Sequence, residues 1–114
     1  MLTYLSYLPH ITATDVAALN IAQLSYGDSW KKRGGTGAFM MLARKWDRIE
    51  RQVEQFNHDI FEAVNKDTRD EGLIDDIRDL RRYLALVEGE LMASYTIDRP
   101  DLPETSDPDD EIPF

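Results

Sequence analysis

Residues 36–56 read TGAFMMLARKWDRIERQVEQF, and this stretch decides the fold. Its large apolar residues Phe39, Leu42, Trp46, Ile49, Val53 and Phe56 recur at alternating steps of three and four. In an α-helix that spacing collects them on one side, over roughly five turns, whereas a strand would need alternation every second residue. Thr36 offers a side-chain oxygen as the N-cap. Residues 73–91, LIDDIRDLRRYLALVEGEL, carry a second stripe of Leu73, Ile77, Leu80, Leu84, Val87 and Leu91. No segment alternates convincingly as a strand. The expected fold is therefore all-α, a small helical bundle ending near Tyr95.

The flanks are less regular. Thr14 is a plausible N-cap for a helix to Ser25 built on Val16, Ala17, Leu19, Ile21 and Leu24. Residues 1–13 are apolar but aperiodic and contain Pro9, so they are expected as an N-terminal arm, extended or a short frayed helix. YGDSWKKRGGTG, residues 26–37, reads as a glycine-rich loop. HDIFEAVN is a candidate short helix, and Asp67 to Gly72 a polar turn. The helical domain is expected over residues 14–97. Residues 98–114 hold four prolines and many acids and are expected to form a disordered acidic tail.

Composition narrows the function classes. The 114 residues suffice for one domain, and 42% hydrophobic with 31% charged residues is globular. With no cysteine there is neither a disulfide framework nor a thiolate metal site, and the cytoplasm is the expected compartment. The first ten residues, MLTYLSYLPH, have no basic leader region and no long apolar run, so neither a signal peptide nor a membrane span is expected. A net charge of −9 argues against general binding to nucleic-acid backbones. The charge is uneven, however. Lys31, Lys32, Arg33, Arg44, Lys45, Arg48 and Arg51 outnumber Asp47 and Glu50 in residues 31–51, while residues 98–114 oppose their acids with Arg99 alone.

The carboxylates have a pattern of their own. Placed at about 100° per residue, Asp47, Glu50 and Glu54 flank one side of the middle helix's apolar stripe, and Lys45, Arg48 and Gln52 the other. Asp76, Asp79 and Tyr83 flank the stripe of the last helix. If the stripes pack together, Asp47 and Glu50 can face Asp76 and Asp79 across a groove. Four carboxylates so placed repel one another unless a cation sits among them, and Mg²⁺ suits hard oxygen ligands and phosphates. The competing reading is a solvated face paired with Arg78, Arg81 and Arg82. His10 and His58 stand alone, and KKRGGTG lacks the residue order of a phosphate loop.

Asp47-x-x-Glu50 followed by Asp76-x-x-Asp79 resembles the E-x-x-E…E-x-x-D pattern of the MazG-like all-α nucleoside triphosphate pyrophosphohydrolases, with Asp in place of Glu at the first and third positions. Asp79-Leu80 with Tyr83-Leu84 is similar to the D-L-x-x-Y-L end of that pattern. Over residues 15–92 the chain also resembles the nucleotide-modification-associated domain 1 family, mostly phage-encoded. That likeness is carried by Tyr26 to Trp30 (YGDSW), Gly37, Phe39, Lys45, Arg48, Glu71, Asp75, Asp79 and Tyr83. The two patterns differ in their acidic sets, Asp76 and Asp79 against Glu71, Asp75 and Asp79, and share Asp79. The resemblance implies cleavage of a nucleotide between its α- and β-phosphates. It implies Mg²⁺ held among Asp47, Glu50, Asp75, Asp76 and Asp79, phosphate contacts from Lys45 and Arg48, and nucleotide contacts from Tyr26, Trp30 and Tyr83. A homodimer is expected, because so short a helical unit completes its core by pairing.

The sequence ends DDEIPF, Asp109, Asp110, Glu111, Ile112, Pro113 and Phe114. This resembles the acidic C-terminal tip of bacterial single-stranded-DNA-binding proteins, which docks on replication and repair proteins. The resemblance implies a similar docking role here. It leaves a rival to the enzyme, a non-enzymatic adaptor or mimic that competes for the same partners. A generic acidic tail is the plainer reading of those six residues.

Overall fold

The computed structural model describes residues 2–95 and 97–100. Four α-helices follow one another: α1 (Tyr4–Tyr26), α2 (Gly34–Glu54), α3 (Ile60–Asn65) and α4 (Leu73–Tyr95), with a single 3₁₀ turn at Ser29–Lys31 between α1 and α2. Among the described residues there is no strand, so the all-α expectation is met. None of the helices is long and apolar enough to cross a membrane.

The N-terminal boundary is corrected. No separate arm or break is found at residue 13, because α1 runs unbroken from Tyr4 through Pro9. Ser6 Oγ accepts the Thr3 N–H at 3.4 Å and closes the first turn. Thr14 is therefore not an N-cap. It lies in mid-helix, where its hydroxyl donates to the His10 carbonyl at 2.8 Å, as Thr12 does to Leu8 at 3.1 Å. Gly27 ends the helix with φ of +57° and an N–H donated to Gln23 O at 2.9 Å, a conformation that favours glycine.

Thr36 is likewise not the cap of α2, which begins two residues earlier at Gly34. Beyond α2 the chain reverses through Asn57 and His58, both left-handed with φ of 54° and 63°. Asp59 then caps α3, its Oδ1 accepting the N–H groups of Phe61 and Glu62 at 3.1 Å each. Asp67 organises the next turn. It accepts from the Leu73 N–H at 2.6 Å and from the Arg69 guanidinium at 2.8 and 2.9 Å. Those donors, Arg69 first, hold its carboxyl well below the usual carboxylate range.

The enclosed core is Ile49 and Val53 of α2, Ala63 of α3 and Leu73 of α4, with Phe56, Val64, Ile77 and Leu80 packed against it. It sits where the second half of α2 meets α3 and the start of α4. Burying each larger side chain there contributes about 1.5–3 kcal/mol. Further up the α2 stripe Leu42 is half-buried, while two aromatic positions are open. Phe39 is 65% exposed and Trp46 53% exposed, and Trp46 Nε1 donates to Glu50 Oε2 at 3.0 Å. The stripe position that suggested a core tryptophan instead gives a surface one. α1 is tied to α4 by Asp15, which Arg81 and Arg82 both grip.

Candidate functional site

A cleft of about 540 Å³ opens between α1, the 3₁₀ turn, α2 and α4. Ala18, Ala22 and Leu86 give it apolar walls, Tyr26, Trp30 and Tyr83 aromatic ones, and Gln23, Lys45, Asp79 and Arg82 its polar groups. Each element places its contribution for a local reason. Gly27 stops α1 just after Tyr26, and the tight turn that follows carries Trp30 back over the opening. Lys45 stands on the α2 flank one turn before buried Ile49, so it reaches α4 beside the core. Its Nζ lies 3.2 Å from Asp79 Oδ2.

The cleft brings together five residues singled out from sequence: Tyr26, Trp30, Lys45, Asp79 and Tyr83. Arg48 is absent from its lining. It points one turn further along, where its Nε lies 2.9 Å from Asp76 Oδ1. Asp76 is only 3% exposed, and its Oδ2 is buried without a partner. Asp75 closes the start of α4, accepting the Gly72 N–H at 3.0 Å and facing Arg78 at 3.7 Å. Glu71 is exposed, at the turn before α4.

The facing of the two helices differs from the expected one. The Lys45 and Arg48 flank of α2 meets Asp76 and Asp79, whereas Asp47 is exposed and Glu50 is engaged with Trp46. Side chains so arranged do not fit Mg²⁺. The two carboxylates of α4 that face α2 each hold a side-chain cation, and among the described residues no three carboxylate or histidine groups gather as such an ion would need.

Two residues that sequence reasoning passed over complete the picture. Asp15 is 8% exposed and accepts from Arg81 Nε at 2.5 Å, Arg81 Nη2 at 2.7 Å and Arg82 Nε at 2.8 Å. The Arg81 bond chiefly lowers its pKa, with Arg82 adding to it and burial opposing. Asp15 is the only Asp, Glu, Lys or Arg in residues 1–27. A lone acid in so apolar a segment is a signal that it has a partner. At the far end of α4, Lys31 pairs with Glu90, which also accepts from the Ser94 hydroxyl.

The tip residues Asp109, Asp110, Glu111, Ile112, Pro113 and Phe114 lie outside the described residues. Comparison with protein-family models, with curated proteins and with solved structures finds no match to this chain.

Proposed function

We propose that the cleft is a nucleotide pocket and that the chain acts on nucleoside triphosphates as a pyrophosphohydrolase-like protein, releasing monophosphate and pyrophosphate. One observation carries this reading. Tyr26, Trp30, Lys45, Asp79 and Tyr83, all singled out from sequence, line a single cavity of nucleotide-compatible size. Tyr26 and Trp30 supply ring faces for a base, each stacking contact contributing about 1–3 kcal/mol. Lys45 supplies a positive charge for the phosphates. On ligand binding Lys45 exchanges its Asp79 partner for a phosphate oxygen. Asp79 is then free to accept a proton from the water that attacks the α-phosphorus. The new bond joins that water oxygen to the α-phosphorus, and the bond to the bridging oxygen breaks, so the electron pair leaves with pyrophosphate.

The wider proposal follows the resemblances: a phage-type protein of the host cytoplasm, docked through Asp109–Phe114 to replication or repair proteins, and paired with a second copy of itself. The exposed apolar residues Tyr4, Leu5, Tyr7 and Leu8 on the first turns of α1 support the pairing. A second reading, a non-enzymatic adaptor, is favoured by the ion pairs that occupy Asp76 and Asp79.

Pyrophosphate release from a panel of ribo- and deoxynucleoside triphosphates, with Mg²⁺ and with chelator, distinguishes the two. Release that Asp79→Asn abolishes supports the enzyme. Folded protein that releases nothing from any nucleotide supports the adaptor.

A further inference from the structure

We propose that Arg82 is the phosphate-chain anchor of the cleft and that Asp15, out of contact with the ligand, is the residue that positions it. This rests on the nucleotide reading above and adds where the phosphate chain lies. It predicts that affinity rises with every phosphate a ligand carries.

The geometry supplies the reasons. Arg82 lines the cleft, and its side chain is only 21% exposed. Its Nε is committed to Asp15 Oδ1 at 2.8 Å, which leaves the two terminal nitrogens for other acceptors. A guanidinium fixed at one edge keeps a planar pair of donors for a ligand, and phosphate oxygens match that fork bidentately.

The charge balance agrees. Asp15 is shared by two guanidiniums, so one positive charge at that locus is uncompensated. The acid that lines the cleft, Asp79, is already matched by Lys45. In a chain of net charge −9 the cleft is thus a local excess of positive charge, with Lys45 and Arg82 as its cations. Apolar walls and low exposure strengthen the pull on an anion there. Aromatic residues and cations lining one cleft describe a ligand with a flat ring and a phosphate chain, a nucleoside di- or triphosphate.

Arg81 provides the control. It makes two of the three bonds to Asp15 but does not line the cleft. Losing Arg81 therefore weakens the α1–α4 tie without removing a ligand contact.

The experiment is titration calorimetry at fixed salt with a nucleoside, its mono-, di- and triphosphates, and inorganic tripolyphosphate. It compares wild type with Arg82→Gln, Arg81→Gln and Asp15→Asn, each melted in parallel. Arg82→Gln should bind the triphosphate about ten- to a hundredfold more weakly, the value of a lost charged hydrogen bond, and should bind the nucleoside as wild type does. Arg81→Gln should melt earlier and lose less of the gain per phosphate than Arg82→Gln, because it removes a charge beside the cleft but no ligand contact. Asp15→Asn should lose part of that gain, through misplacement of Arg82. The proposal is overturned if Arg82→Gln keeps the full gain, or if Arg81→Gln loses as much as Arg82→Gln. Wild type that binds none of the nucleotides overturns the nucleotide reading itself. Tripolyphosphate bound as tightly as the triphosphate supports the Arg82 anchor and removes the base from the recognition.

Discussion

Substituting Asp15 by Asn tests whether one ion-pair cluster fastens α1 to the rest of the molecule. The carboxylate is 8% exposed and accepts three hydrogen bonds from two guanidiniums. Asn keeps one acceptor oxygen, loses the charge and turns an NH₂ group toward arginine donors. Fully buried, such a break costs about 3–5 kcal/mol. The Arg81 and Arg82 side chains are 37% and 21% exposed, so water recovers part of that. A loss of about 2–3 kcal/mol remains, equivalent to a fall in Tm of roughly 10–20 °C for a domain of this size. The assay is urea unfolding followed by helical circular dichroism. pH gives an internal check. The pKa of Asp15 is lowered from 3.8 by its arginine partners. Its contribution is therefore fully present above that unfolded-state value and disappears as pH falls through the lower folded one. Wild type and Asp15→Asn should differ at neutral pH and converge in acid. Equal stability at neutral pH, or a difference that persists unchanged in acid, would refute the reasoning.

Three further outcomes follow from the packing. Gly72→Ala should destabilise by about 1–3 kcal/mol in the same unfolding assay, because a Cβ there would lie 2.7 Å from Asp67 Oδ2 and displace the carboxylate that caps α4. Trp46→Phe should change stability by no more than about 0.5 kcal/mol, since the indole is on the surface; a loss of several kcal/mol would return Trp46 to the core. If the exposed start of α1 pairs two copies as proposed, Leu5→Glu with Leu8→Glu should give a monomer in sedimentation while circular dichroism stays helical, because both side chains are about half exposed.

Stripe periodicity was enough for α2 and α4, because each has an apolar face that recurs every three or four residues. The same test fails for α1, whose apolar residues point all round: Leu5, Leu8, Ile21 and Leu24 are all exposed. Without a stripe, and with Pro9 inside it, the sequence of α1 looks like an arm followed by a shorter helix. Thr14 resembled a cap for want of any signal that its hydroxyl would turn back to His10. Tyr26, Trp30, Lys45, Asp79 and Tyr83 of the cleft were legible, but Arg82 and the facing of the helices were not. A helix has two flanks beside its stripe, and the sequence does not say which one the partner helix covers. The rotation of α2 against α4 brings Lys45 and Arg48, rather than Asp47 and Glu50, to Asp79 and Asp76. That difference exchanges a carboxylate cluster for two ion pairs. Asp15 had a readable mark, its isolation in an apolar segment, while its partners on α4 depend on tertiary packing.

A nucleotide that enters between Trp30 and Lys45, as proposed, alters the surroundings of the Trp30 indole. The chain has two tryptophans, so Trp46→Phe leaves Trp30 as the only one. The measurement is the fluorescence of that variant during titration with nucleoside triphosphates. The account predicts a saturable change in Trp30 emission that weakens when Lys45 is also replaced by Ala. Emission that no nucleotide alters up to millimolar concentration, in protein shown to be folded, would contradict it.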